Sequence, residues 1–133
     1  MSRIRIFVAD DHPNILGKVA SLLGHTFDIV GTAGDGQSAY EGVKRLKPDV
    51  LVIDITMPIV SGIEVVTKLR ETGQAPKVVF LTVHSDPDFL RAGLATGAFG
   101  YVMKARVATD LVPSVQHAVE GRIYISPFPE YKK

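Results

Sequence analysis

The chain has 133 residues, 46% hydrophobic and 22% charged, with a formal net charge of +1 and no cysteine. That size and balance describe one globular domain able to bury its own core, and the near-zero charge removes any bulk electrostatic case for nucleic acid or an acidic membrane surface. The absence of cysteine excludes disulfides, thiolate metal sites and thiol nucleophiles, and no apolar run reaches membrane-spanning length.

Met1-Ser2-Arg3 leads straight into Ile4-Arg5-Ile6-Phe7-Val8-Ala9, a first strand with no signal-peptide pattern before it, so a cytoplasmic location is expected. Asp10-Asp11-His12-Pro13 ends that strand, and Pro13 suits the first turn of a helix capped by an Asp or His. Ile15, Leu16, Val19, Leu22 and Leu23 then recur at helical spacing up to Gly24. A second strand is predicted over residues 28–33, followed by a glycine-rich turn and a helix with Ala39, Val43 and Leu46 inward.

Val50-Leu51-Val52-Ile53 reads as a strand buried on both faces, as a parallel sheet requires, and it delivers Asp54 to its carboxyl end before Pro58. Ser61 with Glu64 forms a capping box for a third helix, which buries Ile63, Val66 and Leu69 and ends near Gly73. Val78 to Thr82 is a fourth apolar strand. Asp86-Pro87 opens a fourth helix, weakened by Gly93 and Gly97. Phe99 to Lys104 is a fifth strand. The last helix is expected to start near Thr109, with Pro113 in or just after its first turn and Leu111, Val112, Val115, Ala118 and Val119 inward. Five alternations of strand and helix imply an α/β fold, an open doubly wound parallel sheet ordered 2-1-3-4-5, with its site outside the carboxyl ends of the strands.

That rule gathers Asp10, Asp11, Asp54, Thr82 and Lys104 at one edge. Singly, each has an ordinary explanation: a cap, a strand-end residue or a solvated lysine. Polar groups ending four otherwise apolar strands are harder to explain that way. Three clustered acids raise one another's pKa unless a cation holds them, and an all-oxygen set suits Mg²⁺. A carboxylate so placed can accept a phosphoryl group. No paired spacing makes His12 or His84 a metal ligand, and His25 and His117 are expected at helix ends.

With its Asp-Asp pair, Asp54-Ile55-Thr56-Met57-Pro58, Leu81-Thr82 and Gly100-Tyr101-Val102-Met103-Lys104, the chain resembles the receiver domains of two-component response regulators, whose fold is flavodoxin-like. Asp-Asp-His-Pro, Thr-Val-His-Ser, Gly-Ala-Phe-Gly-Tyr and Gly-Arg-Ile-Tyr-Ile-Ser-Pro resemble the NarL/FixJ subgroup, which carries a LuxR-type output domain. The resemblance implies Asp54 as phosphoacceptor and Mg²⁺ held by Asp11, Asp54 and the Thr56 carbonyl, with Asp10 acting through water. It further implies Thr82 as switch hydroxyl, Tyr101 as a rotating aromatic and Lys104 as the phosphate-binding lysine. The implied partners are a sensor histidine kinase or phosphotransfer protein, a possible second copy of the chain, and DNA only through an output domain outside this chain. No membrane contact is implied. The resemblance departs from the wider family at Ala105, where proline is common, and at Val83, where a small residue is common.

Residues 1–126 are thus expected to form the receiver unit, with 127–133 a tail or the start of a linker. Such a unit is a switch, not a turnover enzyme. A haloacid-dehalogenase-type phosphatase needs a second Asp where Thr56 stands, and a nucleotide-binding module would not place Asp10-Asp11 against phosphate. A receiver-like interaction module not controlled by phosphorylation is the remaining alternative.

Overall fold

Apolar side chains alternate between two faces along every inner strand, and that alternation sets the layering. The computed structural model describes residues 3–74, 76–84 and 86–127. Its elements run β1 (Arg5–Ala9), α1 (Pro13–Gly24), β2 (Asp28–Ala33), α2 (Gly36–Leu46), β3 (Val50–Asp54), α3 (Gly62–Glu71), β4 (Lys77–Thr82), α4 (Pro87–Ala95), β5 (Gly100–Met103), a one-turn 3-10 helix (Lys104–Arg106), α5 (Val107–Val119) and β6 (Tyr124–Ile125).

Phe7, Leu51, Ile53, Val78 and Phe80 point to one face and pack with Val43, Val66, Leu69 and Leu90 of α2, α3 and α4. Ile6, Val8, Val52, Val79 and Leu81 point to the other and pack with Val19, Leu23, Leu111 and Val115 of α1 and α5. Both faces are therefore dry, which is why β3 and β4 read as unbroken apolar runs. Each buried aliphatic side chain contributes about 1.5–3 kcal/mol.

All strand pairs are parallel, in the order β2-β1-β3-β4-β5-β6. The expected order 2-1-3-4-5 stands, with a sixth strand added beside β5. That strand is two residues long, below the length at which alternation can be read. No helix among the described residues is long and apolar enough to cross a membrane.

Three local expectations are corrected. Helix α5 begins at Val107, two residues early, and Pro113 lies in its interior; the irregular start is the preceding 3-10 turn. Of its expected inward residues, Val119 is exposed. Gly97 lies beyond α4 with φ 88°, a left-handed position that glycine fills without strain, while Gly93 lets α4 approach Phe80 and Ile55 within 3.2–3.4 Å of where a Cβ would sit. The capping box at Ser61 and Glu64 forms as expected, and Asp86 caps α4. Of the predicted tail, only Pro127 falls within the described residues; 128–133 lie outside them, as does Ser85.

Candidate functional site

The carboxyl ends of β1, β3, β4 and β5 bring the expected residues to one edge. Asp54 ends the central strand with its side chain 2% exposed. Its Oδ1 accepts a hydrogen bond from the Thr56 backbone N–H at 3.1 Å, and its Oδ2 accepts one from Lys104 Nζ at 2.9 Å. Lys104 reaches it because β5 passes directly into the 3-10 turn, and the same ammonium stands 2.9 Å from Asp10 Oδ2. Asp10 also accepts the His12 backbone N–H at 2.8 Å. Asp11 is half-buried, and its inner oxygen, Oδ1, accepts no hydrogen bond among the described residues.

His12, which flanks the site in sequence and is expected to have no metal-ligand role there, lies against this group. As N-cap of α1 it makes no side-chain cap; its ring turns instead toward the acids. Nδ1 lies 3.2 Å from both Asp10 Oδ1 and Asp11 Oδ1 and 3.4 Å from Lys104 Nζ. Adjacency to Asp10-Asp11 was the available signal, but neighbouring residues at a strand end need not face the same way.

Burial pushes the Asp54 carboxyl up to about 6; the Lys104 hydrogen bond opposes the rise and the Asp10 charge adds to it. Burial pulls the Lys104 ammonium down, yet its bonds to Asp10 and Asp54 outweigh that and raise its pKa. One ammonium thus pairs with two of three clustered acids, and the pocket is short of positive charge. Asp10, Asp11, His12 and Asp54 each offer a ligand atom within 4.8 Å of the others. A buried carboxylate oxygen without a hydrogen bond, in a set dominated by hard oxygens, fits a divalent cation such as Mg²⁺.

Thr82 is fully buried, and its Oγ1 accepts the His84 backbone N–H at 2.8 Å. The His84 ring stacks on Phe89 at 4.3 Å, and its Nε2 lies 3.5 Å from Thr56 Oγ1. Tyr101 is also fully buried, its side chain interacts with that of Thr82, and burial raises its pKa.

Residues 6–116 match the family described as the response regulator receiver domain. The chain belongs to that family. As a receiver domain it is similar to the uncharacterized transcriptional regulatory protein YvfU of Bacillus subtilis (strain 168), at 35% identity over 93% of this chain and 63% of that protein. It is 34% identical to the transcriptional regulatory protein DegU of Brevibacillus brevis, over 95% of this chain and 54% of that protein. Among solved structures, a two-component response regulator of the LuxR family from Aurantimonas sp. SI85-9A1 superposes with a TM-score of 0.88 at 30% identity, over 95% of this chain and 91% of that one. The receiver domain thus spans between about half and two-thirds of these curated relatives' length.

Sequence reading also passed over Asp110 and Ser126, both buried. Asp110 accepts hydrogen bonds from Ser126 Oγ at 2.6 Å, Arg106 Nε at 2.8 Å and Thr109 Oγ1 at 3.0 Å. Burial alone would raise its pKa, but these donors outweigh it and hold the carboxyl below the ordinary range. Nothing in the amphipathic pattern of α5 separates Asp110 from a solvated first-turn acid.

Proposed function

We propose that this receiver domain is a phosphorylation-controlled switch in which Asp54 accepts a phosphoryl group from a sensor histidine kinase or phosphotransfer protein. The observation that carries the reading is the Asp54 carboxylate, buried at the end of the central strand, 2.9 Å from Lys104 Nζ and grouped with Asp10 and Asp11. A carboxylate oxygen of Asp54 attacks phosphorus, forming an O–P bond as the bond to the donor's histidine nitrogen breaks. Such transfer requires in-line placement and neutralisation of oxygen charge more than proton movement. Lys104 and the Thr82 hydroxyl are the groups of this chain that would meet the phosphoryl oxygens.

Asp11, Asp54 and the Thr56 carbonyl would hold Mg²⁺, with Asp10 acting through water. When bound, the ion supplies positive charge to the transferring oxygens. Asp10 is already engaged by Lys104 and the His12 N–H, whereas among the described residues Asp11 Oδ1 accepts no hydrogen bond and has only the His12 ring beside it. Asp11→Ala is therefore expected to weaken Mg²⁺ binding about tenfold or more, and Asp10→Ala less, by isothermal titration. Equal affinity for Asp11→Ala and the unmodified chain would contradict this ligand set.

The structural change would be read on the face built by α4, β5 and α5, since Thr82 and Tyr101 adjoin it. The inward Tyr101 is one of the two arrangements that a phosphoryl group would bias, by roughly a few kcal/mol if populations are to invert. In a full-length regulator that face would govern an output domain acting on DNA. Incubation with acetyl phosphate and Mg²⁺ should add one phosphoryl group by intact mass, and excess EDTA should prevent it. Unmodified mass under both conditions would leave the protein an interaction module and overturn the reading.

A further inference from the structure

Strand β6 is short, yet it carries a fully buried serine that does more than close a sheet edge. Ser126 N donates to the Tyr101 carbonyl at 2.9 Å, extending the β5–β6 pairing. Its Oγ accepts the Met103 N–H at 3.2 Å and donates to Asp110 Oδ2 at 2.6 Å. Asp110 in turn holds Arg106. These bonds land on Met103 and Arg106, which flank Lys104 in the chain. The chain is thus held at the Met103 N–H just before Lys104 and at the Arg106 side chain two residues after it, while the Lys104 ammonium faces Asp54 and Asp10.

A buried carboxylate supplied with three donors is an expensive way to finish an edge strand, because an apolar pair would close it without desolvating a charge. The matched family region ends at residue 116, so Ser126 lies outside the residues that carry the family match.

We propose that Ser126 and Asp110 are positioning residues for Lys104, and that docking of the segment 124–127 is thereby coupled to phosphoryl binding at Asp54. The inference rests on the reading of Asp54 given above. A lysine must place its ammonium within a few tenths of an ångström to serve a phosphoryl oxygen, and a side chain on a one-turn helix has no regular hydrogen-bond ladder to hold it. By linkage, whatever β6 adds to phosphoryl affinity, the phosphoryl group returns to β6 as docking stability. Residue 127 continues toward the rest of the chain, so the coupling would carry the site's state out along the backbone.

The test uses beryllofluoride as phosphoryl mimic in saturating Mg²⁺. Ser126→Ala and Asp110→Asn should each weaken beryllofluoride binding about tenfold, while Mg²⁺ affinity measured alone stays within about twofold, since neither residue contacts Asp11 or Asp54. In the unsubstituted protein, beryllofluoride should slow hydrogen exchange at the Ser126 amide, a measurement that needs no variant to fold. Unchanged beryllofluoride affinity in the variants, an equal loss of both ligands, or a Ser126 amide indifferent to beryllofluoride would each overturn the proposal. If the unsubstituted protein took up neither beryllofluoride nor phosphoryl group, the reading of Asp54 would fail and this inference with it; normal uptake with insensitive variants would sink this inference alone.

Discussion

Asp54→Asn is expected to abolish phosphoryl uptake and, in EDTA at neutral pH, to make the protein more stable than the unsubstituted chain. The carboxyl rises from 3.8 in water to about 6 in the fold, so the folded state holds its proton more tightly than the unfolded state does. Stability conferred by that proton is complete below about pH 4, is lost as pH climbs toward 6, and stays lost above. Two pKa units correspond to nearly 3 kcal/mol; with relaxation, a gain of about 1–3 kcal/mol at pH 7.5 is expected, several degrees in Tm. The gain should shrink toward zero at pH 4, where the native carboxyl is protonated too, and Mg²⁺ should restore the unsubstituted protein. Urea denaturation at the two pH values checks this; a variant no more stable at pH 7.5 would show that the acid cluster carries no strain.

Gly62→Ala is expected to be the most damaging single methyl in the molecule near the site. Gly62 opens α3, and its N–H donates to the Ile55 carbonyl at 3.0 Å, seating the helix directly on the end of β3. A Cβ there would overlap the Asp54 carbonyl oxygen and lie 3.0 Å from its carbon and 3.1 Å from Ile55 Cα, all backbone atoms that cannot swing aside. Either α3 lifts or the Asp54 segment shifts. A loss of about 3 kcal/mol or more is expected, with phosphoryl uptake slowed in the fraction that folds. Gly17→Ala is the control: nothing lies within 4 Å of its Cβ position in α1, so about 0.5–1 kcal/mol should be gained from helix propensity. A Gly62 variant losing under about 1 kcal/mol would mean that the close approach is not tight in solution.

The contrast between these glycines illustrates what was legible in the chain. Strands buried on both faces announce themselves by apolar runs, so β1, β3 and β4 could be placed, and with them the acids and threonine at their ends. Helix starts were readable where a side chain makes the cap, as at Ser61 and Asp86. What depends on close approach in three dimensions was not readable: Gly62 and Gly93 look like any other glycine. Side-chain direction was equally hidden. His12 faces the acids through a turn geometry that no periodicity encodes, and the buried Asp110 finds a partner in Ser126, 16 residues later in the chain. Pro113 was misplaced because it was taken as a first-turn proline, whereas α5 already begins at Val107. The family match and the five-strand order followed from local pattern; β6 is too short to leave one.

The central claim is that one carboxylate, Asp54, takes the phosphoryl group. Treatment with acetyl phosphate and Mg²⁺, followed by borohydride reduction and peptide mapping, converts an aspartyl phosphate to homoserine and so marks its position. Homoserine at residue 54 alone, and none when EDTA replaces Mg²⁺, is the predicted result; homoserine at residue 10 or 11, or its absence at 54 under phosphorylating conditions, would contradict it.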